Sequence, residues 1–418
     1  MKRVSTNPVR NVLRVLTLAG LAAFSPAALA APPTGPTANP VAASSNEYMA
    51  HWMVTTWTNK VGNRDLQAQI DLTGTSILRD SVLFYESSFG NFPYAGPHLS
   101  DSPTYMAAHL AKVGRDIAAK IPDPNFSGYV CIDYETWQPN WSRTPNSRSN
   151  GAPDARDFDF KDDWEQHLLL NKPQVLRGLT GAARDRAMEV TYNQAAQKFY
   201  LDTLREGKRL RPKAKWGFYG FPYGEYYTFL PAYVNKWRNV NDNEMGWMFD
   251  AVDVIFPRVY SVFVTVEDRL PTPGRYENTP AANARYIRDN TLEAVRVSRG
   301  KPVMPFLYFR YHPNVGRDME GKWVSDLVIR QAIEIPKQAG AKGVMIWDCI
   351  ESEQQFIDLR RIVATQVAPK MNAIAVLPGS NPNSNRLASG ASRDASVKVS
   401  STAAPVVVKP KLASVPNQ

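Results

Sequence analysis

Seven short apolar runs, separated by amphipathic helical stretches, constrain the fold of this chain more than any other feature. The runs fall at residues 51–57, 81–86, 129–135, 215–220, 252–260, 302–308 and 343–347. Most are continuously apolar, as in parallel strands covered on both faces. A helix opens at Ser102-Pro103, with an N-cap followed by proline at the first helical position. It places Met106, Leu110, Val113 and Ile117 on one face and stops at Pro122. Further helical patterns cover 184–209, 282–298, 324–338 and 353–367. This alternation predicts an α/β fold, a distorted (β/α) TIM-like barrel of seven to eight parallel strands in a single domain. An open doubly wound sheet is the alternative, but it would carry a Gly-rich phosphate turn after strand one. Here that strand runs into Thr56-Trp57-Thr58-Asn59-Lys60.

Both ends of the 418-residue chain read as separate from the barrel. Residues 1–30 join Lys2, Arg3, Arg10 and Arg14 to an apolar run from Val15 to Phe24, followed by Ala28-Leu29-Ala30. This has the build of a secretory signal peptide of bacterial character, cleaved near Ala30 and too short for a membrane span. It predicts a secreted or periplasmic protein with no integral membrane segment. Residues 31–45 read as a flexible linker, 46–371 as the barrel and 372–418 as a disordered tail without aromatic residues. The net charge of +10 sits mostly in these ends. Residues 1–30 hold four basic and no acidic residues, and 372–418 hold five basic and one acidic, which leaves +2 for 31–371. Charge therefore does not mark the core as a binder of polyanions. The two cysteines, Cys131 and Cys349, read more readily as buried free thiols than as a disulfide joining two strand ends, which export would allow.

Chemistry in a parallel barrel sits where the strands end at their C-terminal face. The third run ends in Asp133 and Glu135, spaced so that both side chains leave the strand on one face. Trp137 and Trp141 follow as flat surfaces of the kind sugar rings stack on. The same rim collects Tyr219, Tyr260 and Trp347 from three other strand ends. Paired acids among aromatics suit a glycosidase; a pair that merely caps the next helix is the plainer alternative. His51, His98, His109, His167 and His312 are scattered without ligand spacing, so neither a metal nor a cofactor is expected. No nucleic-acid motif is present, and the sequence leaves the oligomeric state open.

Several motifs in chain order resemble the hyaluronidase family of glycoside hydrolases. They are Gly128…Ile132-Asp133-Tyr134-Glu135-Thr136-Trp137-Gln138-Pro139, Val82-Leu-Phe-Tyr85 with Gly90-Asn-Phe-Pro93, Leu204 to Pro212 followed by Trp216-Gly-Phe-Tyr-Gly-Phe-Pro222, Phe256-Pro-Arg-Val-Tyr260, and Gly343-Val-Met-Ile-Trp347. The resemblance implies a retaining, substrate-assisted endo-β-N-acetylhexosaminidase acting on a 2-acetamido polysaccharide. In it Glu135 would be general acid and then base. Asp133, Tyr219 and Tyr260 would hold the substrate's N-acetyl group, with Trp347 walling the pocket. Departures include Tyr134 in place of the family's tryptophan and Gln138 in place of its arginine. A chitinase-like hydrolase is disfavoured because Gly128 lies seven residues before Glu135 instead of six. A glycan-binding barrel without turnover is the alternative from another class.

Overall fold

The structure, a computed structural model, describes residues 48–144, 160–224, 231–261, 264–265, 277–278, 280–311 and 321–376. The leader, the linker and the tail beyond 376 lie outside the described residues.

Parallel pairing runs through seven staves, several of them split into short strands. Strands β1 (Met49–Trp52), β2 (Thr55–Thr56), β3 (Ile77–Leu78), β4 (Ser81–Tyr85), β5 (Tyr129–Asp133) and β6 (Lys215–Phe218) form the first half. Helix α1 (Pro103–Lys120) follows β4, and α2 (Phe160–Asn171) with α3 (Gly181–Leu210) follow β5. After β6 come α4 (Pro231–Asn243) and α5 (Gly246–Ala251), then residues 255–258, which bridge β6 on one side and 303–306 on the other. The second half contains the short pair β7 (Val264–Thr265) and β8 (Glu277–Asn278), α6 (Pro280–Val297), β9 (Phe306–Leu307), α7 (Asp326–Gln338), β10 (Gly343–Ile346), β11 (Cys349–Ile350), α8 (Glu353–Ile362) and α9 (Ala368–Val376). β9 pairs β10, and β10 pairs β1. On its other side β1 pairs in parallel with β3, which leads directly into β4, and Ser81 Oγ donates to the Trp52 carbonyl at 2.8 Å. The expected TIM-like barrel is thus present, with all seven predicted runs as its staves.

Alternation along the strands sorts the core. Val130, Ile132 and Tyr134 point outward into the layer under α1 and α3, beside Phe84, Phe199 and Trp216. Leu83, Cys131, Phe256, Met304, Phe306 and Met345 fill the barrel interior. Asp133 therefore lies above Cys131 on the inward face, where the strand period of two puts it. Both cysteines are free and buried. Register then levels the rim. Tyr85 stands opposite Asp133, Ile132 opposite Phe218 just before Tyr219, and Ile346 opposite Leu307 just before Trp347 and Tyr308.

Helix α1 begins as expected, with Ser102 Oγ accepting from the Tyr105 amide at 3.3 Å. His109 replaces Leu110 as a buried residue of that helix, with Nε2 2.8 Å from the Thr203 hydroxyl. Helix α9 runs to Val376, past the expected edge at Met371. Asn372 Oδ1 accepts from the Ser76 amide at 2.7 Å, and Ile374 is buried.

Gly128 opens β5 by a close approach. A Cβ there would stand 1.8 Å from the Asp80 carbonyl oxygen, which accepts the Tyr129 amide at 3.0 Å. We expect Gly128→Ala to lower stability by about 1–3 kcal/mol, as for other overpacked sites. Chemical denaturation of the purified variant measures this.

Candidate active site

Strand β5 delivers the acid pair to the centre of the C-terminal rim. Three recesses meet there, and Glu135 borders all of them. The largest, a cleft of about 780 Å³, is lined by Trp57, Tyr85, Glu86, Tyr94, Asp133, Glu135, Tyr308, Arg310, Trp347 and Glu351, among others. A deeper recess of about 150 Å³ is walled by Asp133, Glu135, Tyr219, Arg258, Tyr260, Phe306, Tyr308 and Trp347. A third, of about 160 Å³, lies toward Gln138, Arg143, Tyr223 and Arg258. Asp133, Glu135, Tyr219, Tyr260 and Trp347, which the strand-end argument singled out, thus surround one small pocket.

The aromatic walls brace one another. Tyr260 stacks on Trp347 with ring centroids 5.8 Å apart at 22°, and Tyr308 closes on Trp347 at 5.1 Å. Trp347 Nε1 donates to the Tyr85 hydroxyl at 2.9 Å, and that hydroxyl lies 3.3 Å from Thr55 Oγ1. This chain fixes the indole plane facing the recess. Burial pushes the Tyr260 phenol well above its usual value, so it stays a neutral donor.

Both carboxyls of the pair are pushed above their ordinary range. Burial is the largest cause for both, and the two groups are close enough to share a proton. Asp133 is pushed well up by burial, by the neighbouring Glu135 charge and by Glu86, against a smaller pull from Arg258. Glu135 is raised by burial and Glu86, against Arg258 and the bond to Asp133. Its side chain is 56 % exposed to the cleft, so solvent screens part of this rise, and Asp133 is the more strongly raised of the two. The pair therefore titrates as a unit that retains its proton above the ordinary carboxylate range. The Oδ1 atom of Asp133 is buried without a hydrogen-bond partner among the described residues.

Glu86 was not singled out in the sequence, although it follows β4 at the same rim. Its carboxylate accepts from the amides of Glu135 at 2.9 Å and Thr136 at 3.0 Å and from the Thr136 hydroxyl. It pins the backbone that carries the acid. Trp57, Tyr308, Arg258 and Arg310 also escaped; only their position at strand ends could have flagged them. Trp57 is 45 % exposed and lines the large cleft, the placement expected of a sugar platform.

The two tryptophans expected to stack on sugars are elsewhere. Trp137 is fully buried, stacked on Phe92 at 5.3 Å, with Nε1 donating to the Pro93 carbonyl at 2.9 Å. The chain leaves β5 and turns down into the layer beneath α3, which takes this ring into the core. Trp141 is half-buried against Tyr192 at 5.4 Å, with Lys161 Nζ 4.9 Å over its ring, and borders none of the three recesses. Trp137→Phe should therefore cost about 1–2 kcal/mol through the lost hydrogen bond and a residual cavity. Thermal melting reads this cost, and KM for any glycan should stay unchanged.

A sequence model of the family described as Hyaluronidase, Glyco_hydro_56, matches residues 58–377. Human hyaluronidase-1 is 28 % identical over 294 residues, covering 64 % of this chain and 58 % of the human protein. A chondroitin hydrolase of Caenorhabditis elegans is 30 % identical over 328 residues, covering 72 % of this chain and 64 % of the nematode protein. The chain thus spans less than two thirds of the length of these relatives. The crystal structure of bee venom hyaluronidase in complex with a hyaluronic acid tetramer shares the fold, with a TM-score of 0.58 at 20 % identity over 79 % of this chain and all of that one. On the family match and the shared barrel, this chain belongs to the hyaluronidase family of glycoside hydrolases.

Proposed function

We propose that the protein is an exported, retaining endo-β-N-acetylhexosaminidase that hydrolyses a 2-acetamido polysaccharide of the hyaluronan or chondroitin class. The observation that carries this reading is the position of Glu135, a carboxyl of raised pKa where two larger recesses meet the small pocket of Asp133, Tyr219, Tyr260 and Trp347. A chain laid through the cleft would present its glycosidic oxygen to Glu135 and its 2-acetamido group to that pocket.

The source of the nucleophile follows from what the pocket lacks. Asp133 and Glu135 are its only carboxylates among the described lining residues, and both leave the end of one strand. They cannot flank the sugar as a protein acid and a protein nucleophile must. Glu86 is occupied by the 135–136 backbone, and Glu351 pairs with Lys60 at 3.0 Å. The substrate's acetamido carbonyl oxygen is then the attacking atom. It bonds to the anomeric carbon as the glycosidic bond breaks and Glu135 protonates the leaving oxygen. The Asp133 carboxyl accepts the acetamide N–H, and the tyrosine hydroxyls stabilise the charge that builds on the cyclic oxazolinium. Glu135, now a carboxylate, takes a proton from the water that opens this ring, so configuration is retained. Export, and the bacterial character of the precursor, rest on the residue pattern of 1–30.

Reducing-end release from hyaluronan, chondroitin and a neutral 2-acetamido polymer tests the reading, with Glu135→Gln as control. Saturated products should accumulate. Binding without release, or unsaturated products of elimination, would sink it.

A further inference from the structure

We propose that His109, buried on α1 beneath the rim, is a positioning residue for the acid: it holds the loop 89–93, whose carbonyls fix the side chains on either side of Glu135. The proposal rests on the glycosidase reading and adds to it the support that sets where the proton is delivered.

Two carbonyls of that loop tie down the chain around the acid. The Phe89 carbonyl accepts the Tyr134 hydroxyl at 3.0 Å, and the Pro93 carbonyl accepts Trp137 Nε1 at 2.9 Å. Glu135 lies between these two anchors in the chain, and both anchoring rings are buried. The loop also follows Glu86, which holds the amides of Glu135 and Thr136, and leads to Tyr94, which lines the large cleft. A displacement of the loop therefore reaches the acid at several points.

Helix α1 holds the loop by its backbone. Tyr105, His109 and Asp116 share one face of the helix. The Tyr105 hydroxyl donates to the Asn91 carbonyl at 2.8 Å, and the Asp116 carboxylate accepts the Gly90 amide at 2.8 Å. Between them His109 Nδ1 accepts the Asn91 amide at 3.0 Å. His109 Nε2 lies 2.8 Å from Thr203 Oγ1, whose own proton goes to the Phe199 carbonyl at 2.8 Å. Nε2 is therefore the protonated nitrogen, and Nδ1 keeps its lone pair for the loop. The other tautomer would turn Nδ1 to the Asn91 carbonyl, which Tyr105 already serves, and would orphan the Asn91 amide. Burial holds the imidazole down to about 4, so the lone pair is present at neutral pH. The loop lies directly on the ring: Gly90 has φ +64°, and a Cβ there would stand 2.4 Å from His109 Cε1. Phe199 completes the support, with its ring 4.6 Å from His109, 5.8 Å from Tyr134 and 5.6 Å from Trp137.

The test compares kcat and KM on hyaluronan oligosaccharides for the wild type, His109→Leu and His109→Asn. Leucine fills the site without an acceptor, whereas the asparagine carbonyl can take the place of Nδ1 and accept the Asn91 amide. His109→Leu should lose about tenfold or more in kcat with KM within about twofold, because a displaced acid fails in the transition state and not in binding. His109→Asn should recover most of that loss. An unchanged kcat in His109→Leu, or an equal loss in both variants, overturns the proposal. Where His109→Leu does not fold, Thr203→Val replaces it by removing the partner that fixes the tautomer. A lower kcat at unchanged KM then supports the proposal, and an unchanged kcat overturns it. If the wild type cleaves no oligosaccharide, the glycosidase reading fails, and hydrogen exchange at residues 133–138 decides the positioning role separately, with β10 as the reference. Exchange that quickens there in His109→Leu and returns in His109→Asn supports it, and exchange that is unchanged relative to β10 overturns it.

Discussion

Glu135→Gln will lower kcat by about 10³-fold, the scale of a general acid removed from its site, while leaving the fold intact. The amide matches the carboxyl in shape and cannot give up a proton to a leaving oxygen. The Glu135 backbone amide keeps its bond to Glu86, because that bond does not involve the side chain. The same change has a second, opposite consequence for stability. Both carboxyls of the pair are raised in the folded state, chiefly by burial. The folded protein therefore holds their protons more tightly than the unfolded chain, and ν_U − ν_N is negative for these groups. Their ionisation costs stability as pH rises from the ordinary carboxylate range through the raised values of the pair. Below that range the cost is absent. Glu135→Gln and Asp133→Asn should each melt at or above the wild-type temperature at pH 7, with the difference shrinking toward pH 4. Melts at the two pH values check this, and variants that lose most stability at pH 7 would reverse the sign. On the activity side, hydrolysis should persist above the usual carboxylate range and fall as the pair loses its shared proton.

Arg310→Ala will destabilise the barrel by about 3–5 kcal/mol, the cost of stranding a buried charge by removing its partner. Arg310 and Asp348 are 7 % and 3 % exposed. Arg310 reaches Asp348 through two nitrogens, with Nε to Oδ2 at 3.2 Å, and also donates to the Cys349 carbonyl at 2.9 Å. Asp348 Oδ1 accepts the Cys349 amide at 2.6 Å. Burial still raises Asp348 despite these partners, so attraction does not fully offset its desolvation. Without Arg310 the carboxyl would take up a proton or open the β10–β11 turn. That turn carries Trp347, so KM should rise as well. Replacing both partners by apolar residues, Arg310→Met with Asp348→Leu, should recover most of the stability, because no charge is then left unpaired. Urea titration of the three variants tests the pattern.

The parts of the site that could be read in the sequence are those fixed by strand geometry. Asp133, Tyr219, Tyr260 and Trp347 end four staves of a parallel barrel, and such ends converge on one rim. Alternation also puts Cys131 and Asp133 on one face, which the structure turns inward. Beyond the strand end that rule lapses. Trp137 lies four residues past Asp133, where the chain has left the sheet, and an aromatic residue in a loop carries no mark of which way it turns. The layer that takes it in was itself obscured. Helix α2 reads as charged, although Phe160, Trp164 and Leu168 recur every fourth residue and are all buried. Arg258 and Glu86 stand at strand ends already singled out, yet their roles depend on distances across the rim, which local sequence does not encode. The edge of the domain moved for a similar reason. Asn372 and Ile374 belong to the fold through contacts with Ser76 and the core, not through composition.

The central claim is that Glu135 supplies the proton and the sugar supplies the nucleophile. It is tested most directly by a substrate series with the N-acetyl group replaced by mono-, di- and trifluoroacetyl. Each fluorine weakens the carbonyl oxygen as a nucleophile while changing the group's size little. The account predicts a steep, monotonic fall in kcat across the series. A flat series would place the nucleophile on the protein and contradict it.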